Sequence, residues 1–258
     1  MAEMKVSIVT AVYNCEQTVG MALRSVAEQS HSSIEHVVID GMSTDETPSV
    51  IAEFKDSVSV SVREPDDGIY NALNKGIRLC TGDIIGLLHA DDVLASSRGL
   101  ERIADAFADP DVDAVFGDLA YVDAVHGGRV IRYWQEKPFR VSRFRRGWMP
   151  PHPTVYMRKS VYEQLGGFRE DFEISADYEL MVRAFVKHQL RAQYVPQRLV
   201  EMRVGGKSNA SLSNRRTANR EDRLAWEVNG MKPPALLRLT KPLRKLPQYW
   251  RRPGPQTA

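Results

Sequence analysis

The stretch "IIGLLHADDVL", residues 84–94, runs an apolar segment straight into His89, Asp91 and Asp92. Adjacent carboxylates repel each other and are costly to desolvate. A hard divalent cation would relieve that repulsion. Carboxylate oxygens suit Mg²⁺ or Mn²⁺, and one or two protein carboxylates suffice when a substrate phosphate supplies the other ligands. The plainer reading is that the pair opens a loop and caps the segment after it. Asp177 in "SADYEL" sits where a helix starts, so it is either a first-turn acid favoured by the macrodipole or a general base. His152, among prolines in "MPPHPTVY", comes after Arg145, Arg146 and Trp148. Trp148 reads equally as a sugar-stacking ring or as core.

Positioning such groups requires elements, and the first half supplies them by alternation. "KVSIVTAVY", "IEHVVID", "VSVSVRE", "DIIGLLHA" and "VDAVFGDLAYV" read as five strands. Between them "TVGMALRSVAEQ", "STDETPSVIAEFKD", "GIYNALNKGIRLC" and "SSRGLERIADAFADP" read as helices, the second opening with a Ser43–Glu46 capping box. This order predicts a parallel sheet with helices on both faces. In open α/β sheets ligands sit at the carboxyl ends of strands. Those ends carry Thr10, Tyr13 and Asn14; Asp40 and Ser43; Glu64, Asp66 and Asp67; and His89, Asp91 and Asp92. In the second half "GGRVIRYWQE" suggests a hairpin arm. "HPTVYMRKSVYEQLGGF" reads as a strand and a short helix ending at Gly166, and "SADYELMVRAFVKHQ" as one helix with Ser175 as N-cap.

Composition narrows the class. The 258 residues are 43% hydrophobic and 26% charged, ordinary for a globular protein. Two cysteines without CxxC spacing argue against a disulfide framework or a zinc-thiolate site and fit a reducing compartment. No signal peptide or membrane span is evident, so a cytoplasmic location is expected. The net charge is +2, but residues 231–258 carry seven basic residues and no acidic one, leaving −5 for the rest. An acidic body excludes a nucleic-acid binder. In the basic tail Leu236, Leu239, Leu243, Leu246 and Trp250 recur at spacings of three and four, a pattern for peripheral contact with the inner face of a membrane. Pro242 and Pro247 interrupt it. A dinucleotide oxidoreductase would show GxGxxG after the first strand, where this chain has "TAVYNCEQT".

Five blocks in order, "VSIVTAVYN", "VVIDGMSTDET", "DDGIYNALNKGIRLCTGDIIGLLHADD", "HPTVYMRKSVYEQLGGF" and "SADYELMVR", resemble the family 2 glycosyltransferases, especially the bacterial polysaccharide enzymes of the colanic-acid type. The resemblance spans roughly residues 4–210. It implies a GT-A fold: a nucleotide-sugar-binding half over 1–98, an acceptor-binding half over 99–215 and a helical basic tail over 216–258. It further implies an inverting, metal-dependent transfer from a nucleotide-diphosphate sugar, a UDP-sugar, to a glycan or lipid-linked acceptor. The alternative is a nucleotide-sugar-binding protein or a nucleotidyltransferase.

The family's metal motif is Asp-x-Asp. Here His89 and Ala90 hold its first two positions, and Asp91 inherits the contact to Mn²⁺ or Mg²⁺. Asp92 becomes a supporting acid or loop cap. By the same resemblance Thr10, Val12, Tyr13, Asp40 and Asp67 meet the nucleoside, and Asn74 and Lys75 the diphosphate side. Leu73 stands where many members carry Arg. Asp177 becomes the base, and His152, Trp148 and Glu179 face the sugar or the acceptor.

Overall fold

The computed structural model describes residues 3–123, 129–203, 212–235, 237–244 and 246–250. The expected alternation appears as β1 (Val6–Val12), α1 (Val19–Ala27), β2 (Ile34–Asp40), α2 (Thr47–Glu53), β3 (Val60–Arg63), α3 (Ile69–Leu79) and β4 (Ile84–Leu87). After the short β5 (Val93–Leu94) come α4 (Gly99–Ala106), β6 (Ala114–Val122), β7 (Val130–Trp134), β8 (Tyr156–Arg158), α5 (Lys159–Leu165), α6 (Ala176–Met181) and β9 (Ala192–Arg203). Helices α7 (Leu212–Glu227) and α8 (Leu237–Leu243) come last.

All strands belong to one sheet of order β3-β2-β1-β4-β8-β6-β9-β5, with β7 paired to β6. The β3-β2-β1-β4 part is parallel throughout. Beyond it β8 runs antiparallel to both β4 and β6. Strand β1 is buried along nearly its whole length, as expected of a strand covered on both faces. One face packs against α3, where Gly76 meets Val9 so closely that a Cβ would overlap it. The opposite face packs Ile8, Leu88 and Val115 with Leu100 and Ile103 of α4 and with Phe107 just after it. The mixed α/β architecture read from the sequence is therefore present.

Local expectations fared unevenly. The capping box does not form: α2 begins at Thr47, and the Ser43 hydroxyl instead accepts the Asn14 amide 2.9 Å away. A cross-strand donor outcompeted the local cap. Ser175 is the N-cap of α6 by position, yet its side chain makes no capping bond. The helix expected to run through "SADYELMVRAFVKHQ" is α-helical only to Met181 and π-helical over Val182–Lys187. Strand β7 pairs antiparallel with β6 as a hairpin arm, but its Gly127-Gly128 turn lies outside the described residues.

Candidate active site

Strand order reverses at β1, with β2 and β3 on one side and β4 on the other. Such a switch point opens a crevice at the carboxyl ends. Here the β1–β4 ladder stops at Val9↔Leu87, while β1 continues pairing with β2 to Val12↔Asp40. Thr10 to Val12 thus present a strand edge toward the 89–92 turn. The Thr10 side chain is buried against His36 Nε2 at 3.0 Å, and Val12 is core, so only their backbone serves the crevice. Tyr13, just beyond, is 61% exposed.

Asp40 ends β2 and is 2% exposed. Its Oδ1 accepts the Ser43 amide at 2.9 Å. Its Oδ2 is ion-paired with Arg63 Nε at 3.2 Å and is closed to solvent. Two non-glycine residues there, Asn14 and Met42, have φ of 51° and 65°. Backbone strain of this kind is held in place by its surroundings and gathers at functional sites. Asn14 Oδ1 accepts the Thr44 amide, tying the ends of β1 and β2 together. Asp66 folds over Gly41 and accepts the Gly68 amide, leaving the neighbouring Asp67 exposed. Gly68, at φ 109°, turns the chain into α3. The half-buried Cys15 thiol is raised by burial and then by the carboxylates of Asp91, Asp45 and Asp40, so these acids share one neighbourhood.

The turn after β4 is closed by the Asp92 amide bonding to the His89 carbonyl at 3.0 Å. Asp91 is half-exposed, whereas Asp92 is buried with neither carboxylate oxygen hydrogen-bonded. Burial and the adjacent Asp91 push the Asp92 carboxyl well above its usual range, against the charge of Arg203. Among the described residues no three His, Cys, Asp or Glu side chains converge on a point. The donor set is one accessible carboxylate with a buried acid behind it. It fits a hard cation that takes its remaining ligands from a substrate diphosphate and not from the protein.

His89 is pushed down to about 4 by burial and then by His152. The two rings meet edge-on with centroids 5.7 Å apart. His152 in turn lies 2.9 Å, through Nδ1, from Asp177 Oδ2 at the start of α6. Burial alone would raise the Asp177 carboxyl, but the charge of His152 and its hydrogen bond outweigh this and hold it below the ordinary range. Asp91, His89, His152 and Asp177 therefore form one continuous line from the strand-end turn to the helix start. An ionised carboxylate at the far end of that line has the protonation state a general base needs.

Four expected site residues lie elsewhere. Asn74 is buried as a bracket: its Nδ2 bonds the Phe168 carbonyl and Glu170, and its Oδ1 accepts the Phe168 amide, each at 2.8 Å. Lys75 Nζ is committed to the Pro65 carbonyl at 2.6 Å and to Glu64 at 2.9 Å, and does not face the crevice as a free charge. Trp148 is 4% exposed, packs edge-on to Phe116 and Phe144, and donates Nε1 to Glu136 at 2.8 Å, so it is core. Glu179 is 1% exposed, paired with Arg183 at 2.9 Å and bonded by Asn229, and is neither solvated nor open to a ligand. Sequence reading passed over Tyr70, whose hydroxyl donates to the Ile174 carbonyl at 2.6 Å. A tyrosine on an amphipathic helix carries no local sign of such a contact.

The chain matches the Glycosyl transferase family 2 profile over residues 7–166, more than half its length. A PGL/p-HBAD biosynthesis glycosyltransferase of Mycobacterium bovis is 27% identical over 198 residues, covering 76% of this chain and 75% of that one. A Mycobacterium tuberculosis glycosyltransferase is 30% identical over 196 residues, covering 69% and 68%. Among solved structures, a Pyrobaculum calidifontis mannosyltransferase in complex with GDP-Man and Mn²⁺ superposes with a TM-score of 0.69 at 22% identity, over 97% of this chain and 74% of that one. Staphylococcus aureus TarS in complex with UDP superposes with a TM-score of 0.66 at 17% identity, over 86% and 65%. The chain belongs to glycosyltransferase family 2 and is a glycosyltransferase with the GT-A fold.

Proposed function

We propose that this enzyme transfers a sugar with inversion from a nucleoside-diphosphate donor, a UDP-sugar, to a hydroxyl of a glycan or lipid-linked acceptor. The carrying observation is the line from Asp91 through His89 and His152 to Asp177. It runs from a half-exposed acid on the strand-end turn to a carboxylate held below its ordinary range, which supports a diphosphate contact at one end and a base at the other. Asp177 takes the acceptor proton as the acceptor oxygen bonds to the anomeric carbon. The anomeric carbon–oxygen bond to diphosphate breaks on the opposite face, releasing the nucleoside diphosphate. Asp91 would hold a Mn²⁺ or Mg²⁺ ion, which stabilises the charge of the leaving diphosphate. The strand edge at Thr10–Val12, the Tyr13 ring and the Asp40 carboxylate receive the nucleoside, with Asp67 at the rim. The Mn²⁺-bound GDP-Man and the UDP of the structural neighbours support this donor class. The test is incubation with UDP-, GDP- and dTDP-sugars with and without Mn²⁺, followed by NMR of the product. Anomeric inversion with metal-dependent nucleotide release is expected. Retention, or full activity in excess chelator, would refute the reading.

The C-terminal segment supports membrane contact of a narrower kind than its sequence pattern implied. No described helix is long and apolar enough to cross a membrane. Leu237 is buried, and Lys241 turns inward to Asp222 at 2.6 Å, so neither is free for lipid. Leu236, Lys245, Arg251 and Arg252 lie outside the described residues. The side chains of Leu239 and Leu246 are also outside the described residues; among those described, Leu243, Tyr249 and Trp250 are exposed, as is Arg244, whose Nε bonds the Arg146 carbonyl at 2.8 Å. Among the described residues no carboxylate pairs with Arg146 or Arg244. Each basic group near an anionic leaflet contributes about 1 kcal/mol. Sedimentation with anionic liposomes should fall several-fold in the Arg146→Glu/Arg244→Glu double variant. Equal sedimentation of both proteins would refute the contact.

A further inference from the structure

We infer that Glu221, on α7 in what the sequence presents as a tail, is a positioning residue for Asp177. The inference rests on the reading of Asp177 as the base. Helix α6 has no capping bond from its own N-cap residue. The amides just ahead of it go instead to one carboxylate. Glu221 Oε1 accepts the Glu173 amide at 2.8 Å, and Oε2 accepts the Ile174 and Ser175 amides at 2.9 and 2.8 Å. Glu221 is 3% exposed. A buried carboxylate with three amide donors fixes the loop that leads into α6, and it places negative charge on the side of the helix that the dipole favours.

The rest of α7 continues the grip. Trp226 Nε1 donates to the Tyr178 hydroxyl at 3.0 Å, and Asn229, just beyond the helix, donates to Glu179 at 2.9 Å. Asp222 holds Lys241 over the Tyr178 ring, 3.9 Å from its centroid. On the other side, α3 holds the same loop through Tyr70 and the Ile174 carbonyl. The two residues flanking Asp177 are thus backbone or core, and the segment is fixed from both sides. Asp177 stays free to face His152. The C-terminal helix is part of the catalytic unit, although its own residues reach no reacting atom.

Glu221→Gln keeps the shape but turns one acceptor into a donor facing amide N–H groups. A displacement of about 1 Å at a reacting group costs up to about 10²-fold in rate. The expected result is a kcat at least about tenfold lower, with donor KM and UDP affinity in Mn²⁺ within about twofold of wild type. The decisive readout is a cycle with Asp177→Asn. In that already slow background, adding Glu221→Gln should change the single-turnover rate by less than about twofold, because both act through the same group. A further tenfold fall would show that Glu221 acts independently of Asp177 and would overturn the inference while leaving the base reading intact. If Asp177→Asn alone is fast, both fail. Should Glu221→Gln not fold, Glu221→Asp enters the same cycle: it keeps the charge but ends one methylene short of the amides.

Discussion

Replacing His152 tests how the base is kept ionised. Asp177 lies in surroundings that by themselves raise a carboxyl, and His152 reverses that through its charge and a 2.9 Å hydrogen bond. A hydrogen bond to a charged group contributes about 1.5–3 kcal/mol. Asp177 keeps 21% of its side-chain surface, so solvent softens the effect toward the lower figure. His152→Ala should therefore move the acidic limb of the kcat–pH profile upward. The direction comes from the chemistry: transfer needs the carboxylate, and a higher pKa demands a higher pH to form it. Activity at pH 8 would change little, while activity at the acidic end of the range would fall further. His152→Asn sets an amide donor close to the place of Nδ1 and should recover only the hydrogen-bond part of the shift, not the part due to charge. The assay is kcat at saturating donor and acceptor from pH 4.5 to 9. An acidic limb unmoved in His152→Ala would refute the coupling of the two residues.

The same geometry sets two further outcomes. Asp91→Ala should abolish the Mn²⁺-dependent part of UDP binding by calorimetry while leaving the melting temperature within a few degrees, since Asp91 is half-exposed and the buried acid is its neighbour Asp92. His36, fully enclosed and pushed down to about 4 by burial, remains neutral in the fold at pH values where the unfolded chain takes up a proton. Its contribution is complete above about pH 6.5 and is lost as pH falls toward 4, a change of about 3 kcal/mol. Denaturant melts of His36→Gln, which keeps a polar partner for Thr10, should show that slope removed.

The crevice at the strand ends was legible because strand ends are written locally. Asp40, His89 and Asp91 come directly after apolar runs, and the parallel order brings them together. Where the sequence misled, a distant contact decided the side chain. Asn74 looked like a diphosphate residue on an exposed helix face until a loop 94 residues away filled all its bonds. Trp148 and Glu179 went inside because Glu136 and Arg183 supply buried partners that no local pattern shows. Ser43 had every mark of a cap but met the Asn14 amide across 29 residues. Glu221 lies on a polar helix in a basic segment, and only the fold shows that it receives three amides from residues 173–175.

The central claim is that Asp177 removes the proton from the acceptor hydroxyl. Asp177→Asn tests it most directly, because the amide keeps the size and can still pair with His152 but cannot act as a base. Single-turnover transfer should fall by at least about 10²-fold at pH 7.5, with UDP affinity in Mn²⁺ unchanged. A lost helix-dipole contact alone would cost only about 0.3–1 kcal/mol of stability and would not slow the chemistry to that degree. Transfer at close to the wild-type rate in Asp177→Asn would contradict the account.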